Sequence, residues 1–258
     1  MAKIRITLLG TGTSGGVPAL GCQCEVCTSR DPHDTRLRTS ALVETDKTRI
    51  LIDCGPDFRQ QMLRRPFRKI DGLLLTHSHY DHVGGIDDIR PYCMFGVVNV
   101  YANEETNRTV RHNFPYCFTE PRYPGVPDIR LNDVKPHETF TIGDMTIEPV
   151  KVMHGLMPIL GFRIGRFAYI TDMKTIDYGE LQYLKGLDVL VINALRFDPP
   201  HMSHQTVNDA IRISRKIGAR RTFLTHACHE IGLHNDVEGR LPDGIRMAYD
   251  GLVLSVED

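Results

Sequence analysis

The sequence lacks the features of a membrane-spanning or nucleic-acid-coating protein. No apolar run approaches the roughly 18 residues that a membrane-spanning helix requires. The formal net charge is −1 at pH 7 and the pI is near 6.9, so the chain has no excess of Lys and Arg for general binding to nucleic acid or to an anionic membrane. We therefore expect neither a membrane partner nor general nucleic-acid binding.

The chain also lacks an internal linker and a recognisable leader. At 258 residues and 41% hydrophobic content it can bury a substantial core, and its length alone would allow one large domain or two. No Ser/Gly-rich or low-complexity tract divides it, and we predict a single domain over residues 1–258. Arg5 and Gly10 interrupt the apolar start too early for a signal peptide, which indicates a cytoplasmic protein. Seven cysteines, an odd number, do not indicate a disulfide framework in a reducing compartment.

Strand-like and helix-like segments alternate along the chain, which indicates an α/β fold. Residues 4–9 alternate as a strand, residues 39–45 and 48–54 predict a hairpin around Asp46-Lys47, and residues 189–192 are typical of a buried strand.

The boundaries of two helices can also be placed. Pro56 favours the first turn of one helix, whose apolar face would contain Phe58, Met62 and Leu63. Ser203 is the expected N-cap of a second helix that ends at Gly218. The predicted face of that second helix consists of Val207, Ala210, Ile211, Ser214 and Ile217.

The most informative segment is Thr76-His77-Ser78-His79-Tyr80-Asp81-His82, which directly follows Leu73-Leu74-Leu75. Imidazole and carboxylate are ligands that suit zinc, manganese and iron, and a strand followed by a short loop would direct several of them to one point. Gly84-Gly85 then lets the backbone leave the crowded loop. The H-x-H-x-D-H spacing therefore predicts a metal site.

Three further residues of ligand type each follow a strand-like segment, namely His154, Asp172 and His226. Their order after the H-x-H-x-D-H motif resembles the metallo-β-lactamase superfamily, and the resemblance extends from residue 7 to about residue 230. It implies a four-layer αβ/βα sandwich with metal ions at the shared edge of two sheets.

The resemblance assigns two divalent catalytic metals, zinc or manganese, by motif position. One metal would be held by His77, His79 and His154, the other by Asp81, His82 and His226, and Asp172 would bridge them. Two such cations would generate a bridging hydroxide at physiological pH, with Asp81 counted among the catalytic residues as well as the ligands. Superfamily members with di-iron redox chemistry usually carry a carboxylate at position 79, so the histidine there favours hydrolysis.

A second metal site is indicated near the N-terminus, where Cys22, Cys24 and Cys27 place three thiols within six residues. In a reducing compartment this C-x-C-x-x-C spacing is more typical of a structural zinc site than of disulfides. A closed tetrahedral site needs a fourth ligand, and His229 is the preferred candidate, with Cys228 as the competing one. The turn that holds His226 and His229 would then serve both the catalytic and the structural site.

The glycine-rich residues 10–18, the three cysteines and the later His229 resemble the PhnP-type cyclic-phosphate phosphodiesterases of bacterial phosphonate breakdown. In that branch the cysteines and the later histidine bind structural zinc, and another histidine assists phosphodiester cleavage. His201 matches the assisting position, where it would protonate the leaving oxygen or stabilise the phosphorane charge. His204 is expected in the first turn of the second helix and could share or replace this role. Both histidines are expected to contact the substrate.

The pattern Gly10-x-Gly12-x-x-Gly15 satisfies the dinucleotide-binding fingerprint, but that fingerprint also requires a helix to begin at once. Gly16 and Pro18 disfavour such a helix, so NAD binding is not expected. The glycines would instead let the loop pass close to the substrate phosphate.

Two other features have competing interpretations. Basic side chains could complement an anionic substrate, although such clusters are usually solvated surface; they are Arg36, Arg38, Arg64, Arg65, Arg68, Lys69 and Arg196. Residues 113–127 are rich in proline and aromatic residues and cannot form a regular helix. They are either a lid or dimer-contact loop, or a surface insertion that packs its own aromatic side chains.

The sequence thus predicts a metal-dependent phosphodiesterase that hydrolyses a small cyclic or nucleotide-like phosphodiester through a metal-bridging hydroxide. A tRNA 3′-end processing endoribonuclease would share the ligands, but it needs an RNA-gripping arm and a basic face. Thioester or lactam hydrolysis is chemically possible at the same site. A non-catalytic scaffold would be marked by lost ligands, whereas every expected ligand is present. A homodimer is implied by the resemblance alone.

Overall fold

The computed structural model describes residues 3–121 and 124–257, and the strands in these residues form two seven-stranded sheets. The strands are β1 (Lys3–Gly10), β2 (Ser40–Glu44), β3 (Arg49–Ile52), β4 (Gly72–Leu74), β5 (Val98–Ala102), β6 (Ile129–Asp133), β7 (Phe140–Ile142), β8 (Met145–His154), β9 (Met157–Ile164), β10 (Phe167–Ile170), β11 (Val189–Asn193), β12 (Arg221–Thr225), β13 (Ile245–Met247) and β14 (Val253–Glu257). The α-helices of the same residues are α1 (Phe58–Met62), α2 (Tyr80–Val83), α3 (Glu104–Asn113), α4 (Val207–Ile217) and α5 (His234–Glu238). Short 3₁₀ helices occupy Pro32–Asp34, Ile86–Phe95, Pro115–Cys117, Tyr178–Leu184 and His229–Ile231.

Each sheet combines an antiparallel half with a parallel half. The first sheet has the order β14-β1-β2-β3-β4-β5-β6, antiparallel from β14 to β3 and parallel from β3 to β6. The second has the order β13-β12-β11-β10-β9-β8-β7, parallel from β13 to β10 and antiparallel from β10 to β7. The second sheet therefore repeats the arrangement of the first, and β14 returns the chain to the first sheet.

Three apolar clusters fill the spaces between the layers of the molecule. One lies between the sheets and takes buried side chains from both, such as Ile6 and Phe162. A second packs helices on the outer face of the first sheet through residues such as Phe58 of α1 and Val110 of α3. The third packs α4, through Ala210 and its neighbours, on the second sheet. Helices and sheets thus form the four-layer αβ/βα sandwich, which confirms the expected fold class.

Most local elements follow the sequence pattern. β2 and β3 pair as the expected hairpin around Asp46-Lys47, and β11 is the expected buried strand. In α1, Phe58 and Met62 are buried as expected, but the side chain of Leu63 is 69% exposed. The reason is that α1 ends at Met62, so Leu63 lies at the C-cap and turns away from the sheet.

The helix α4 begins later than its sequence suggests, because its N-cap is Thr206 and not Ser203. Thr206 Oγ1 accepts a hydrogen bond from the backbone N–H of Asp209 at 3.1 Å, and the Asp209 carboxylate accepts one from the Thr206 N–H at 3.2 Å. This reciprocal capping box fixes the first turn. His204 therefore lies in the preceding loop, and the expectation that it belongs to the first helical turn is wrong. Gly218 ends the helix in a left-handed conformation, as expected.

The proline- and aromatic-rich stretch after α3 packs against the rest of the chain. Phe114 and Phe118 are partly buried against the apolar cluster on the outer face of the first sheet. The hydroxyl of Tyr116 donates to Asp87 at 2.7 Å. Arg122 and Tyr123 lie outside the described residues. These contacts favour the interpretation as a surface insertion that packs its own aromatic side chains.

The sandwich brings the carboxyl ends of its parallel strands to one edge. Segments that follow β3 and β4 of the first sheet meet segments that follow β10, β11 and β12 of the second, as the contacts below show. Side chains at such strand ends converge where the strands stop pairing. None of the helices in the described ranges is both long and apolar enough to span a bilayer.

Candidate metal centre

The H-x-H-x-D-H segment lies where β4 reaches the shared edge. After β4, Leu75 and Thr76 remain fully buried and His77 is 1% exposed. His79 is the N-cap of α2, and that short helix turns Asp81 and His82 back toward the sandwich. The backbone path explains why the motif points inward, because a strand end and one helical turn place its side chains on the same side.

Three imidazoles form the first group of ligand atoms. The nitrogens offered by His77, His79 and His154 lie within 4.8 Å of one another, and His77 Nε2 is 3.0 Å from His79 Nδ1. His154 Nδ1 donates to the carbonyl oxygens of Asp172 and Ser203 at 2.7 and 2.9 Å. The proton therefore sits on Nδ1 of His154, and its Nε2 is left with a lone pair for the group.

Two carboxylates and two imidazoles form the second group. Ligand atoms of Asp81, His82, Asp172 and His226 also lie within 4.8 Å of one another, and all four residues are buried. His82 Nε2 is 3.2 Å from Asp81 Oδ2 and 3.2 Å from Asp172 Oδ2. His226 Nε2 is 3.1 Å from Asp172 Oδ1 and 3.5 Å from Asp81 Oδ2. Asp172 thus contacts both imidazoles and reaches the first group through its carbonyl.

Left-handed turns direct the ligands that end two strands of the second sheet. Asp172 follows β10 with φ of 56°, and His226 follows β12 with φ of 58°. Such angles are uncommon for residues other than glycine and cluster at functional sites. The side chain of Asn193, at the end of β11, holds the backbone of Met173 through two hydrogen bonds at 2.8 and 3.0 Å and so supports the turn at Asp172.

The unsatisfied atoms of the second group fit a bound cation. Among the described residues, His82 Nε2 and both ring nitrogens of His226 are buried without a hydrogen-bond partner. The short distances from the Nε2 atoms of His82 and His226 to carboxylate oxygens lack hydrogen-bond geometry, as expected for atoms that share a metal instead. Burial alone would lower the pKa of His82, but Asp172, Asp53 and Asp81 raise it well above its usual value. This negative potential favours a positive charge, and imidazole with carboxylate suits divalent zinc or manganese.

Asp53 orients His82, and the sequence interpretation missed this residue. Its side chain is fully buried after β3, where φ is 59°. The carboxylate accepts from His82 Nδ1 at 2.7 Å and from Thr76 N and Oγ1 at 2.9 to 3.1 Å. It therefore fixes the His82 tautomer so that Nε2 faces the second group. A carboxylate directly after a buried strand was the available signal, since Asp53 follows Ile50-Leu51-Ile52.

His204, rather than His201, lies against the ligand groups. Its Nδ1 is buried without a hydrogen-bond partner in the described residues and is 3.7 Å from Asp172 Oδ1. Its ring lies 4.8 Å from that of His154 and 4.9 Å from that of His226. His201 is farther out, and its Nδ1 accepts hydrogen bonds from the N–H and hydroxyl of Ser203 at 3.3 and 3.2 Å. The structure thus favours His204 where the sequence ranked His201 first.

Lys174 holds the loop that carries both histidines. Its Nζ donates to the carbonyl oxygens of His201 and His204 at 2.6 and 3.1 Å. These bonds fix the loop backbone against the turn after β10, so that His204 cannot swing away from Asp172 without breaking them. No sequence signal distinguished Lys174 from an ordinary surface lysine.

The three cysteines and His229 form a third group of ligand atoms within 4.8 Å of one another. His229 Nδ1 is 3.3 Å from the Cys24 sulfur and 3.6 Å from the Cys22 sulfur. The backbone N–H of Cys27, followed by His229, lowers the pKa of Cys24 to about 6, which favours the thiolate that a metal binds. Three sulfurs and one imidazole nitrogen fit a tetrahedral zinc ion.

Cys228 is not part of this third group. Its sulfur lies 3.8 Å from Glu230 Oε2, and burial raises the pKa of its thiol. The structure therefore favours His229 over Cys228 as the fourth ligand. The single turn that follows β12 carries His226 to the second group and His229 to the cysteines.

The glycine-rich loop packs against backbone and leads into the cysteine loop without forming a helix. A Cβ on Gly10 would lie 2.0 Å from the Arg38 carbonyl oxygen, and one on Gly12 would lie 2.9 Å from that of Arg36. Gly12 also bridges to Ala227 beside His226. These glycines are therefore needed for close backbone contact, and no helix begins in this described segment.

Several of the candidate basic residues are already engaged within the chain, Arg38 with Asp57 and Lys69 with Asp71 among them. Arg36 is 3% exposed, and its guanidinium donates to Thr11 Oγ1 at 2.9 Å and to the Ala248 carbonyl at 2.6 Å. Arg196 pairs with Glu230 and donates to the Pro199 carbonyl. Arg36 is thus a structural residue that joins the N-terminal loop to the C-terminal region, and not a surface group for an anionic substrate.

Fold and site together define a metallo-β-lactamase-type hydrolase fold with clustered metal-ligand side chains. Residues 48–227 match the family described as the beta-lactamase superfamily domain, so the chain belongs to the metallo-β-lactamase superfamily. It falls in the PhnP-like branch of that superfamily. A crystal structure of a diphosphatase from the PhnP family is 40% identical, superposes with a TM-score of 0.92, and is matched over 99% of this chain and 98% of its own.

Two curated relatives have names that differ from that of the diphosphatase and from each other. An octanoyltransferase of Porphyromonas gingivalis is 46% identical over 256 residues, which is 99% of this chain and 52% of that protein. Coenzyme PQQ synthesis protein B of one Methylorubrum extorquens strain is 30% identical over 272 residues, covering 99% of this chain and 75% of the relative. The chain thus spans about half the length of the octanoyltransferase.

The structure predicts that the two kinds of metal site can be emptied independently. Asp172→Ala should remove metal from the first and second groups but leave about one zinc at the third. The reason is that the third group shares no ligand with the other two. Cys24→Ala should do the reverse and lower the midpoint of thermal unfolding. Elemental analysis after chelation and reconstitution measures the metal content of the two variants, and each variant serves as the control for the other. A Cys24→Ala protein with unchanged zinc content and stability would rule out the structural role.

We also predict that Asp53→Asn weakens metal binding at the second group by roughly 10- to 100-fold. The amide keeps the size of the carboxylate but removes the charge that holds the His82 proton. Titration of the metal-free protein with Mn²⁺ or Zn²⁺ measures the affinity, and Asp46→Asn in the exposed turn between β2 and β3 is the matched control. Equal affinities for the two variants would contradict the role assigned to Asp53.

Proposed function

We propose that this protein is a two-metal hydrolase of small phosphodiesters, including cyclic or nucleotide-like ones. The observation that carries the proposal is His204, whose unpaired Nδ1 lies beside Asp172 at the junction of the two ligand groups. The ligands themselves are common to a superfamily with many reactions, whereas a further buried imidazole among them can donate to charge that develops on a bound substrate.

Each of the two groups of side chains would hold one cation. His77, His79 and His154 would hold one, Asp81, His82 and His226 the other, and Asp172 would bridge them. When bound, two divalent cations would activate water as a nucleophile and stabilise charge on the phosphoryl oxygens. The carboxylates of Asp81 and Asp172 offset part of the positive charge and keep the site able to release an anionic product.

His204 supplies a hydrogen bond rather than a free proton in this proposal. Burial, followed by the neighbouring His226, lowers the pKa of His204 to about 3, so the ring is neutral at pH 7. A neutral imidazole with one N–H can still donate to an oxygen that gains negative charge in the transition state. His201 belongs to the same loop, and its Nδ1 accepts hydrogen bonds from Ser203, which leaves its proton on Nε2.

The proposed hydrolysis of a phosphodiester consumes one water molecule. A new bond forms between the water oxygen and phosphorus, and the bond from phosphorus to the leaving oxygen breaks. One water proton ends on the leaving alcohol, and the product is a phosphomonoester. His204 donates a hydrogen bond to the phosphoryl or leaving oxygen, while Lys174 keeps its loop in place.

The comparisons support phosphorus rather than carbon as the reacting atom. The PhnP-family diphosphatase, 40% identical and matched along its whole length, shares the fold and is named for cleavage of a phosphate linkage. The octanoyltransferase name favours an acyl group as a second candidate, so thioester hydrolysis is the alternative to test. It has less support because half of that relative lies outside the match. The near-neutral charge of the chain argues against tRNA as the substrate.

We expect the purified protein, stripped of metal and reloaded with Mn²⁺ or Zn²⁺, to hydrolyse bis(p-nitrophenyl) phosphate and a 2′,3′-cyclic nucleotide. Octanoyl thioester and a β-lactam should react far more slowly. The Asp172→Ala protein is the background control. If the protein cleaved the thioester faster than the diesters, thioester hydrolysis would become the favoured function. If fully metal-loaded protein cleaved no diester, the proposal would be refuted.

For His204→Ala we predict a fall in kcat of about 10²- to 10³-fold with both catalytic metals retained. A donor to the phosphoryl oxygens should matter equally for p-nitrophenol and alkyl leaving groups, whereas a general acid would matter mainly for the alkyl ones. His204→Asn, which keeps an N–H donor, should recover part of the rate. His201→Ala is the matched comparison and should lose less than about tenfold. The ranking would be wrong if His201→Ala lost more than His204→Ala, and metal loss in His204→Ala would make His204 a ligand.

A further inference from the structure

His226 differs from His82 and His154 in how its imidazole is held. A carboxylate orients the ring of His82, and two backbone carbonyl oxygens orient that of His154. Both ring nitrogens of His226 are buried without a hydrogen-bond partner among the described residues, and the ring packs on that of His204 at 4.9 Å. The direction of the His226 side chain therefore depends on the backbone of its own turn, where φ is 58°.

The backbone of that turn is clamped at the residue after His226. The N–H of Ala227 donates to the carbonyl oxygen of Thr11 at 3.0 Å, and the N–H of Thr13 donates to the carbonyl oxygen of Ala227 at 3.1 Å. Gly12, between the two threonines, forms a parallel bridge to Ala227. The peptide units that follow His226 cannot rotate without breaking these bonds, so the loop from Thr11 to Thr13 fixes the turn.

Thr11 is anchored in turn by two charged side chains. Its Oγ1 donates to Asp250 Oδ1 at 2.7 Å and accepts from Arg36 Nη1 at 2.9 Å. The other carboxylate oxygen of Asp250 accepts from the N–H of Leu37 at 2.7 Å, in the segment that flanks the loop on its other side. Thr11 is fully buried and Arg36 is 3% exposed. The hydroxyl thus ties the loop to one positive and one negative side chain, and hydrogen bonds to charged groups are stronger than those between neutral groups.

The chemistry of this anchor is more than a buried position requires. An apolar β-branched side chain could fill the position of Thr11 without any need for buried charge beside it. Burial raises the pKa of Asp250 to about 6, so keeping a carboxylate there costs stability. Directional hydrogen bonds to Thr11 and Leu37 offset this cost and hold the loop in one geometry, which apolar contacts alone would specify less closely.

We infer that Thr11 is a positioning residue for His226, because its hydroxyl, held by Asp250 and Arg36, fixes the backbone that directs the imidazole to the second ligand group. Thr11 is itself no ligand and acts through Ala227. Loss of the hydroxyl should therefore weaken metal binding at the second group without removing a ligand. This inference rests on the proposed metal centre and not on the phosphodiester reaction, so either of the two can fail alone.

The test removes the hydroxyl and keeps the shape of the side chain. Metal-free Thr11→Val should bind Mn²⁺ about tenfold more weakly than the unaltered protein, as expected when the support of a ligand histidine is lost. Mn²⁺ suits imidazole and carboxylate better than thiolate, so its titration reports the first and second groups. Thr11→Ser, which restores the hydroxyl, should recover the affinity to within about threefold. Asp250→Asn is a second variant with the same expected loss, because an amide offers one acceptor oxygen where the carboxylate offers two.

Thr45→Val, at the turn between β2 and β3, is the matched control. Thr45 is 8% exposed, and its Oγ1 donates to Asp144 Oδ1 at 2.8 Å, as that of Thr11 does to Asp250. Both valine variants should lower the midpoint of thermal unfolding, but only Thr11→Val should lose Mn²⁺ affinity. Unaltered affinity in folded Thr11→Val or Asp250→Asn would overturn the role of Thr11. Equal losses in the two valine variants, or no recovery in Thr11→Ser, would show that Thr11 serves stability alone.

Discussion

The burial of negative charge at the shared edge of the two sheets is the constraint on which the centre depends. Asp53, Asp81 and Asp172 are all nearly inaccessible, and together they surround His82. Unpaired carboxylates in such a place would be strongly destabilising, so the site requires compensating positive charge. Imidazole nitrogens without hydrogen-bond partners in the described residues stand where that charge would bind. Fold and metal binding are therefore coupled, because the same atoms that would destabilise the metal-free edge would hold the cations.

The mixed sheets explain how so many ligands reach one place. In each sheet the parallel half sends successive strands to the same edge, where Asp172 and His226 are the first residues after β10 and β12. His154 reaches the same edge as the last residue of β8, in the antiparallel half of the second sheet. β10 and β12 end in left-handed turns at Asp172 and His226, and β3 does so at Asp53. The strain of these turns is borne by the flanking paired strands and by contacts such as that of Asn193 with Met173. A rigid double sheet thus supplies precise positions that loops alone would not hold.

Much of this arrangement could be predicted from the sequence because ligand chemistry and strand ends are both local signals. The H-x-H-x-D-H spacing and the residues after strands singled out His154, Asp172 and His226, and the structure brings their ligand atoms together with those of the motif in two groups. One failure concerned a local signal, the capping box, and another depended on tertiary context. Ser203 and Thr206 are both good caps, and only the capping box with Asp209 decides between them, which in turn leaves His204 in the loop. Arg36 resembles a surface arginine in the sequence, yet the C-terminal region buries it.

The turn after β12 connects the second ligand group to the N-terminal loops of the chain. His226 and His229 lie three residues apart and face different groups, so a zinc ion at the cysteines would fix the backbone that presents His226. The same turn pairs with Gly12, and the glycine-rich loop leads from there to the cysteines. The candidate ligands are therefore positioned by buried, cross-connected backbone, whereas Leu156 and Met202 lie in exposed turns. Relatives with one fold and different names are compatible with this division, since function lies in the site and not in the fold.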